Sequence, residues 1–170
     1  PKLVVTQSMV LAAFEKFELE KYGPVLAICP GAEFGVSKQW PANHFIGLCN
    51  SAIADGWYVW MFGSVSDMPI ANAIYEGIER EYKEKCENFT GRTTLEDAID
   101  LMGASSAVVS NDSGLMHVAA ALEKPLIALY GSSSPDFTPP LTDASTILKT
   151  GIECRPCFKR VCPVSYTHLR

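Results

Sequence analysis

Val25-Leu26-Ala27-Ile28-Cys29, cut off by Pro30-Gly31, is an unbroken apolar run ended by two turn residues, and it decides how the rest of the chain is read. Such a run has no polar face to offer water, so as a strand it must be covered on both sides. Downstream, Phe45, Leu48, Cys49, Ala52 and Ile53 recur at helical spacing. The pairing then repeats. Tyr58-Val59-Trp60-Met61-Phe62 stops at Gly63 and is followed by a helical stripe of Ile70, Ala73, Ile74, Gly77 and Ile78. A short segment, Asn88-Phe89-Thr90, precedes a helix carrying Leu95, Ala98, Ile99 and Met102. Ala107-Val108-Val109-Ser110 is again a buried strand, and a helix from Leu115 to Leu122 leads into Leu126-Ile127-Ala128-Leu129-Tyr130. Strands apolar on both faces, alternating with helices, predict a doubly wound α/β fold with a parallel sheet. Ligands of such sheets bind beyond the carboxyl ends of the strands, so the loops after Cys29, Phe62, Ser110 and Tyr130 are predicted to face one crevice.

The 170 residues fit one domain, and a hydrophobic content of 48% is that of a globular protein. No stretch approaches the ~18 apolar residues of a membrane span. Lys2 ahead of Leu3-Val4-Val5 and Thr6-Gln7-Ser8 does not make a signal peptide, so a soluble, non-exported chain is expected. With a net charge of −5 and acids and bases intermixed, there is no broad basic footprint for nucleic acid. Any phosphate must therefore be held locally. Pro1 to Ala12 shows no strong period and reads as a connector. Cys29, Cys49 and Cys86 sit singly in apolar or helical contexts and read as core thiols.

Three loop segments carry chemistry. Pro30 to Pro41, PGAEFGVSKQWP, places two glycines and Lys38 ahead of a helix, offering close backbone approach and a point charge for a phosphate. An ordinary surface loop with an exposed lysine fits the same residues, since neither phosphate-loop fingerprint is present. Ser110 to Ala120, SNDSGLMHVAA, passes from a buried strand into a helix whose first N–H groups, at Ser113, Gly114 and Leu115, are suited to an anion such as a diphosphate. Asp112 and His117 flank that position, although an Asp N-cap and a locally bonded helical His are the alternative reading. Leu129 to Pro140, LYGSSSPDFTPP, is a hydroxyl-rich turn that lines a sugar pocket or is simply a loop.

Taken together, PGAEFGVSKQWP, NDSGLMHVAAAL and ALYGSSSPDFTPPL resemble, in order and spacing, the C-terminal domain of glycosyltransferase family 9, close to its heptosyltransferase II members, over roughly residues 1 to 163. That resemblance implies the donor-binding, C-terminal half of a GT-B fold, a Rossmann-like doubly wound sheet. Residues 1–12 become the interdomain connector, and 13–163 a donor domain lacking its last helices. It implies an inverting transfer of heptose from ADP-heptose to the inner core of lipopolysaccharide. The acceptor and the catalytic base belong to an N-terminal domain outside this chain, which alone is expected to be inactive. By the same resemblance Lys38 approaches the donor diphosphate and offsets leaving-group charge, Asp112 holds heptose hydroxyls, and Ser113, Gly114 and Leu115 give backbone amides with His117 nearby. Asp67 matches a ribose-binding carboxylate and Thr93 the position beside adenine; a helix-starting Asp and a loop Thr are the plain alternatives. No cofactor and no catalytic metal are implied. The location is the cytoplasm, with peripheral contact at the inner face of the inner membrane allowed.

Cys154, Cys157 and Cys162, spaced C-x2-C-x4-C, also resemble a segment of heptosyltransferase II sequences in which a further cysteine follows. They read either as a thiolate metal site short of one ligand or as reduced thiols without metal function. Residues 164–170, VSYTHLR, depart from the family and read as a non-native tail. Two other functions remain open: a stand-alone nucleotide-binding module, and a GT-B transferase using another nucleotide sugar. A nicotinamide oxidoreductase is disfavoured, because no G-x-G-x-x-G follows the first strand.

Overall fold

The computed structural model describes residues 2–20 and 23–163. Six strands, β1 Val25–Cys29, β2 Tyr58–Met61, β3 Cys86–Asn88, β4 Ala107–Asn111, β5 Leu126–Tyr130 and β6 Ser145–Lys149, form one sheet in the order β3-β2-β1-β4-β5-β6. Every pairing is parallel, with Ala27 beside Trp60 on one side and Val108 on the other. The helices are α1 Gln7–Lys16, α2 Ala42–Ala54, α3 Met68–Gly77, α4 Leu95–Ala104 and α5 Gly114–Ala121. Short 3-10 turns occupy Val36–Lys38, Val65–Asp67 and Arg80–Lys85.

Alternation along each strand divides the core into two halves. Val25, Ala27 and Cys29 point to one face with Trp60, Val108, Ala128 and Tyr130, where Leu101 and Met102 of α4 and Met116 and Ala119 of α5 cover them. Leu26 and Ile28 point to the other with Val59, Met61 and Leu129, beneath Phe45, Cys49 and Ile53 of α2 and Ile74 of α3. The uninterrupted apolar run of β1 is thus two interleaved faces, both buried.

Two elements depart from the reading of the sequence. The segment read as an aperiodic connector carries α1, whose Thr6 N-cap accepts from the Met9 N–H at 3.3 Å. Only Ala13 of this helix is fully buried, so its pattern is faint in the sequence. It is nevertheless seated on the domain: Leu3 N–H donates to the Ala121 carbonyl at 2.8 Å, and Phe14 meets Trp60 edge-on at 5.7 Å. β6 is the other: as an edge strand it leaves Thr146 to Lys149 exposed, so no apolar run marks it in the sequence. The tail expectation for residues 164–170 lies outside the described residues.

Phe45 is fully buried between α2 and the sheet, with Trp40 edge-on at 4.9 Å. Phe45→Ala is expected to cost about 3–5 kcal/mol through lost transfer energy and a residual cavity. A urea titration giving an unchanged midpoint would show that the site collapses without penalty.

Candidate functional site

β1 and β4 are neighbours in space, but their following helices pass to opposite faces of the sheet, so the loops beyond their carboxyl ends part and leave a crevice. A cavity of about 440 Å³ fills it, lined by Gly31, Ala32, Glu33, Asp67, Thr93, Ser113, Gly114 and Leu115, with Cys29 and Phe62 beneath. Five of the residues singled out from sequence therefore share one cavity: Asp67, Thr93, Ser113, Gly114 and Leu115. Burial pushes the Cys29 thiol up to about 12, against the effect of its hydrogen bond to Ser110, so it stays neutral and is no nucleophile.

Asp67 enters the cavity from the turn after β2. One of its carboxylate oxygens, Oδ2, accepts from the Ser64 N–H and from the Ser64 hydroxyl, both at 2.8 Å. This reciprocal capping box spends Oδ2 on the turn. The carboxyl lies directly over Gly31, where an added Cβ would fall within 2.5 Å of Cγ, Oδ1 and Oδ2. Thr93 also lines the cavity, just ahead of α4, whose own capping box joins Thr94 and Asp97.

α5 begins beside the cavity with Ser113 as its extended N-cap residue, and the Ser113 side chain makes no capping bond. The first N–H groups of a helix have no acceptor one turn earlier, and the helix dipole adds positive potential there. An anion is the natural occupant. Asp112 does not cap α5. It lies at the end of β4, 4% exposed, and its Oδ2 accepts from Lys38 Nζ and the Ser133 hydroxyl, each at 2.6 Å. Oδ1 takes only a 3.3 Å bond from the Thr138 hydroxyl. Lys38 and Asp112 thus form a close ion pair next to the cavity rather than lining it. His117 is exposed one turn into α5, likewise outside the lining.

Neighbouring groups fix this pair. Asn111, fully buried, donates through Nδ2 to the Pro30 carbonyl at 2.7 Å and accepts through Oδ1 from the Trp40 N–H at 3.0 Å. Gly131 abuts the Lys38 backbone so closely that a Cβ would strike the Ser37 carbonyl. Ser37 and Ser132 share a 2.8 Å hydroxyl contact, and Ser37 also donates to the Lys159 carbonyl. Asn111, Ser133 and Thr138 were not singled out from sequence. For Asn111 the signal is polarity where burial is predicted, since Ser110-Asn111 closes an apolar strand and buried polar groups need partners, whereas Ser133 and Thr138 lie in the hydroxyl-rich turn without standing out from its other hydroxyls.

The segment with Cys154, Cys157 and Cys162 packs beside these loops, Cys157 N–H donating to the Ser132 carbonyl at 3.1 Å. Among the described residues, no group of three or more His, Cys, Asp or Glu gathers closely enough to hold a metal ion, the three cysteines included.

A parallel sheet in this strand order, with a cavity and a helix N-terminus where the order reverses, defines a Rossmann-like ligand-binding domain. The family model of glycosyltransferase family 9 (heptosyltransferase) matches residues 1–168, and the chain belongs to that family. Lipooligosaccharide heptosyltransferase 2 of Haemophilus influenzae is 44% identical over 153 residues, covering 88% of this chain and 44% of that protein. Lipopolysaccharide heptosyltransferase 2 of Escherichia coli K12 is 44% identical over 149 residues, covering 88% and 43%. The solved structure of E. coli ADP-heptose LPS heptosyltransferase II superposes with a TM-score of 0.86 at 40% identity, over 93% of this chain and 50% of that one. The chain accordingly spans about half the length of the relatives it matches.

Because the Asp67 carboxyl occupies the space over Gly31, Gly31→Ala is expected to expel it, costing about 1–3 kcal/mol of stability. Asp67→Ala should absorb most of that loss when the two are combined, giving strongly non-additive urea midpoints. Additive midpoints would mean that the two residues do not compete for this space.

Proposed function

We propose that this chain supplies the donor-binding half of a GT-B heptosyltransferase, an inverting enzyme that transfers heptose from ADP-heptose to the inner core of lipopolysaccharide. The observation that carries this reading is the switch-point cavity, whose lining combines the Asp67 carboxylate with the first residues of α5. A nucleoside diphosphate needs both. Family membership and the names of the similar proteins support heptose as the sugar and lipopolysaccharide as the acceptor.

In this reading the adenine lies beside Thr93, Asp67 binds the ribose through Oδ1, and the amides of Ser113, Gly114 and Leu115 take the diphosphate. Asp112 presents Oδ1, its less engaged oxygen, to heptose hydroxyls. The acceptor hydroxyl attacks the anomeric carbon, the bond to the diphosphate breaks, and ADP departs with the electron pair. A base on the complementary N-terminal domain takes the acceptor proton. Charge accumulates on the leaving diphosphate, where Lys38 and the α5 N-terminus offset it without a metal. With the acceptor pocket and the base elsewhere, the chain alone is inactive; residues 1–12, which include the first turns of α1, lead into this domain from the other half. The enzyme works in the cytoplasm, at the inner face of the inner membrane, on a small-molecule donor and a lipid-linked acceptor rather than a nucleic acid. No helix among the described residues is long and apolar enough to cross a membrane.

Calorimetry on the chain is expected to show ADP binding more tightly than adenosine by about tenfold or more, equivalent to about 1.4 kcal/mol. It should also show ADP preferred to UDP and GDP. Equal affinities for ADP and adenosine would reject the anion site, and a preference for UDP or GDP would reassign the donor. In the complete enzyme, Lys38→Ala is expected to lower kcat by about a hundredfold, close to the roughly 3 kcal/mol of one charge-stabilising donor, while donor KM changes little. Since the change also strips Asp112 of its ion pair, circular dichroism must show the variant folded. A rise in KM at constant kcat would make Lys38 a uniform binding contact.

A further inference from the structure

We infer that Arg155 is a positioning residue for the Lys38–Asp112 pair and acts through Ser133. Its guanidinium meets backbone carbonyls in three directions: Nη2 donates to Ser133 at 2.7 Å, Nε to Gly131 at 2.5 Å and Nη1 to Thr150 at 3.2 Å. Two of these acceptors bracket Ser132, so one rigid, planar fork fixes the course of the loop after β5. The neighbouring backbone closes the same clamp, because the Ser132 carbonyl accepts from the N–H groups of Cys157 and Phe158 at 3.1 and 2.9 Å.

What the clamp holds is the environment of Lys38 at both ends. At the backbone end, Ser132 N–H donates to the Ser37 carbonyl at 3.2 Å, and Gly131 lies against Lys38 Cα. At the charged end, the Ser133 hydroxyl and Lys38 Nζ converge on one oxygen, Asp112 Oδ2. A hydrogen bond to a carboxylate is short and directional, so moving the Ser133 backbone by an ångström breaks it. The carboxylate can then rotate, and Nζ follows it. Lysine at position 155 would keep the charge but could not reach three diverging carbonyls from a single nitrogen. The segment between Cys154 and Cys162 thereby acquires a role that requires no metal.

The consequence for ADP binding rests on the function proposed above, whereas the positioning itself can be read directly from Lys38. In the 170-residue chain, lysine-selective ¹⁵N NMR should show the Lys38 ammonium protected from hydrogen exchange, identified by its loss in Lys38→Arg. Arg155→Ala, Arg155→Lys and Ser133→Ala should each abolish this protection while far-UV circular dichroism remains that of a folded chain. Each should also weaken ADP binding about three- to tenfold, and Arg155→Ala/Ser133→Ala should bind no more weakly than the worse single variant. The inference is overturned if the wild-type ammonium is unprotected, if protection survives in either Arg155 variant, if the two losses multiply, or if both Arg155 variants fail to fold. Should wild-type chain bind no ADP, the functional reading fails, and the ammonium signal alone still decides the role of Arg155.

Discussion

The loop between β1 and α2 is tied at both of its ends by the side chain of one residue of another strand. Asn111 sits wholly inside the protein, where a carboxamide must satisfy its donor and its acceptor locally or cost several kcal/mol. It does so by holding the Pro30 carbonyl with one atom and the Trp40 N–H with the other. Between those anchors lie Gly31, which makes room for Asp67, and Lys38, which reaches Asp112. A leucine here would orphan both backbone groups, and an aspartate would set a negative oxygen against the Pro30 carbonyl. The shape of the crevice is thus secured from below, by the sheet.

Electrostatically, the site is less cationic than its lysine implies. Lys38 is 14% exposed and faces a nearly buried carboxylate, so the pair contributes little net charge to the cavity in the empty protein. The permanent positive potential comes from the start of α5. In the proposed function, Lys38 acts fully on an anion only when the geometry of the pair shifts in favour of the ligand, so the orientation of Asp112 becomes a variable of that proposal.

Much of this was legible in the chain. β1 and β5 have the bounds of their apolar runs: β1 is buried on both faces, and in β5 every residue but Ile127 is buried. The helical face of Phe45, Cys49 and Ile53 is likewise the buried face of α2. Within α3, Ala71 rather than Ala73 turns inward, a difference of face that two alanines within one turn do not announce. Ser113, Gly114 and Leu115 could be read because strand end, glycine and helix start are contiguous. The Lys38–Asp112 pair could not, since its partners are 74 positions apart and either residue alone passes for surface. Ser133 and Arg155 were harder to single out: one is a single hydroxyl within the serine run of a turn read as hydroxyl-rich, and the other acts through backbone carbonyls, which leave no pattern in composition.

β6 has a bearing on how the molecule behaves in company. It ends the sheet, and the adjacent residues Ile147 and Leu148 are 38% and 48% exposed on opposite faces. An edge strand with apolar flanks on both sides is a template onto which a strand of another molecule can add, and natural proteins blunt such edges with charge, proline or a covering element. Lys149, at the far end of the strand, is its sole charged residue. This rim is therefore where the isolated chain is expected to add strands of other copies, a tendency that rises with concentration even where the fold is fully intact.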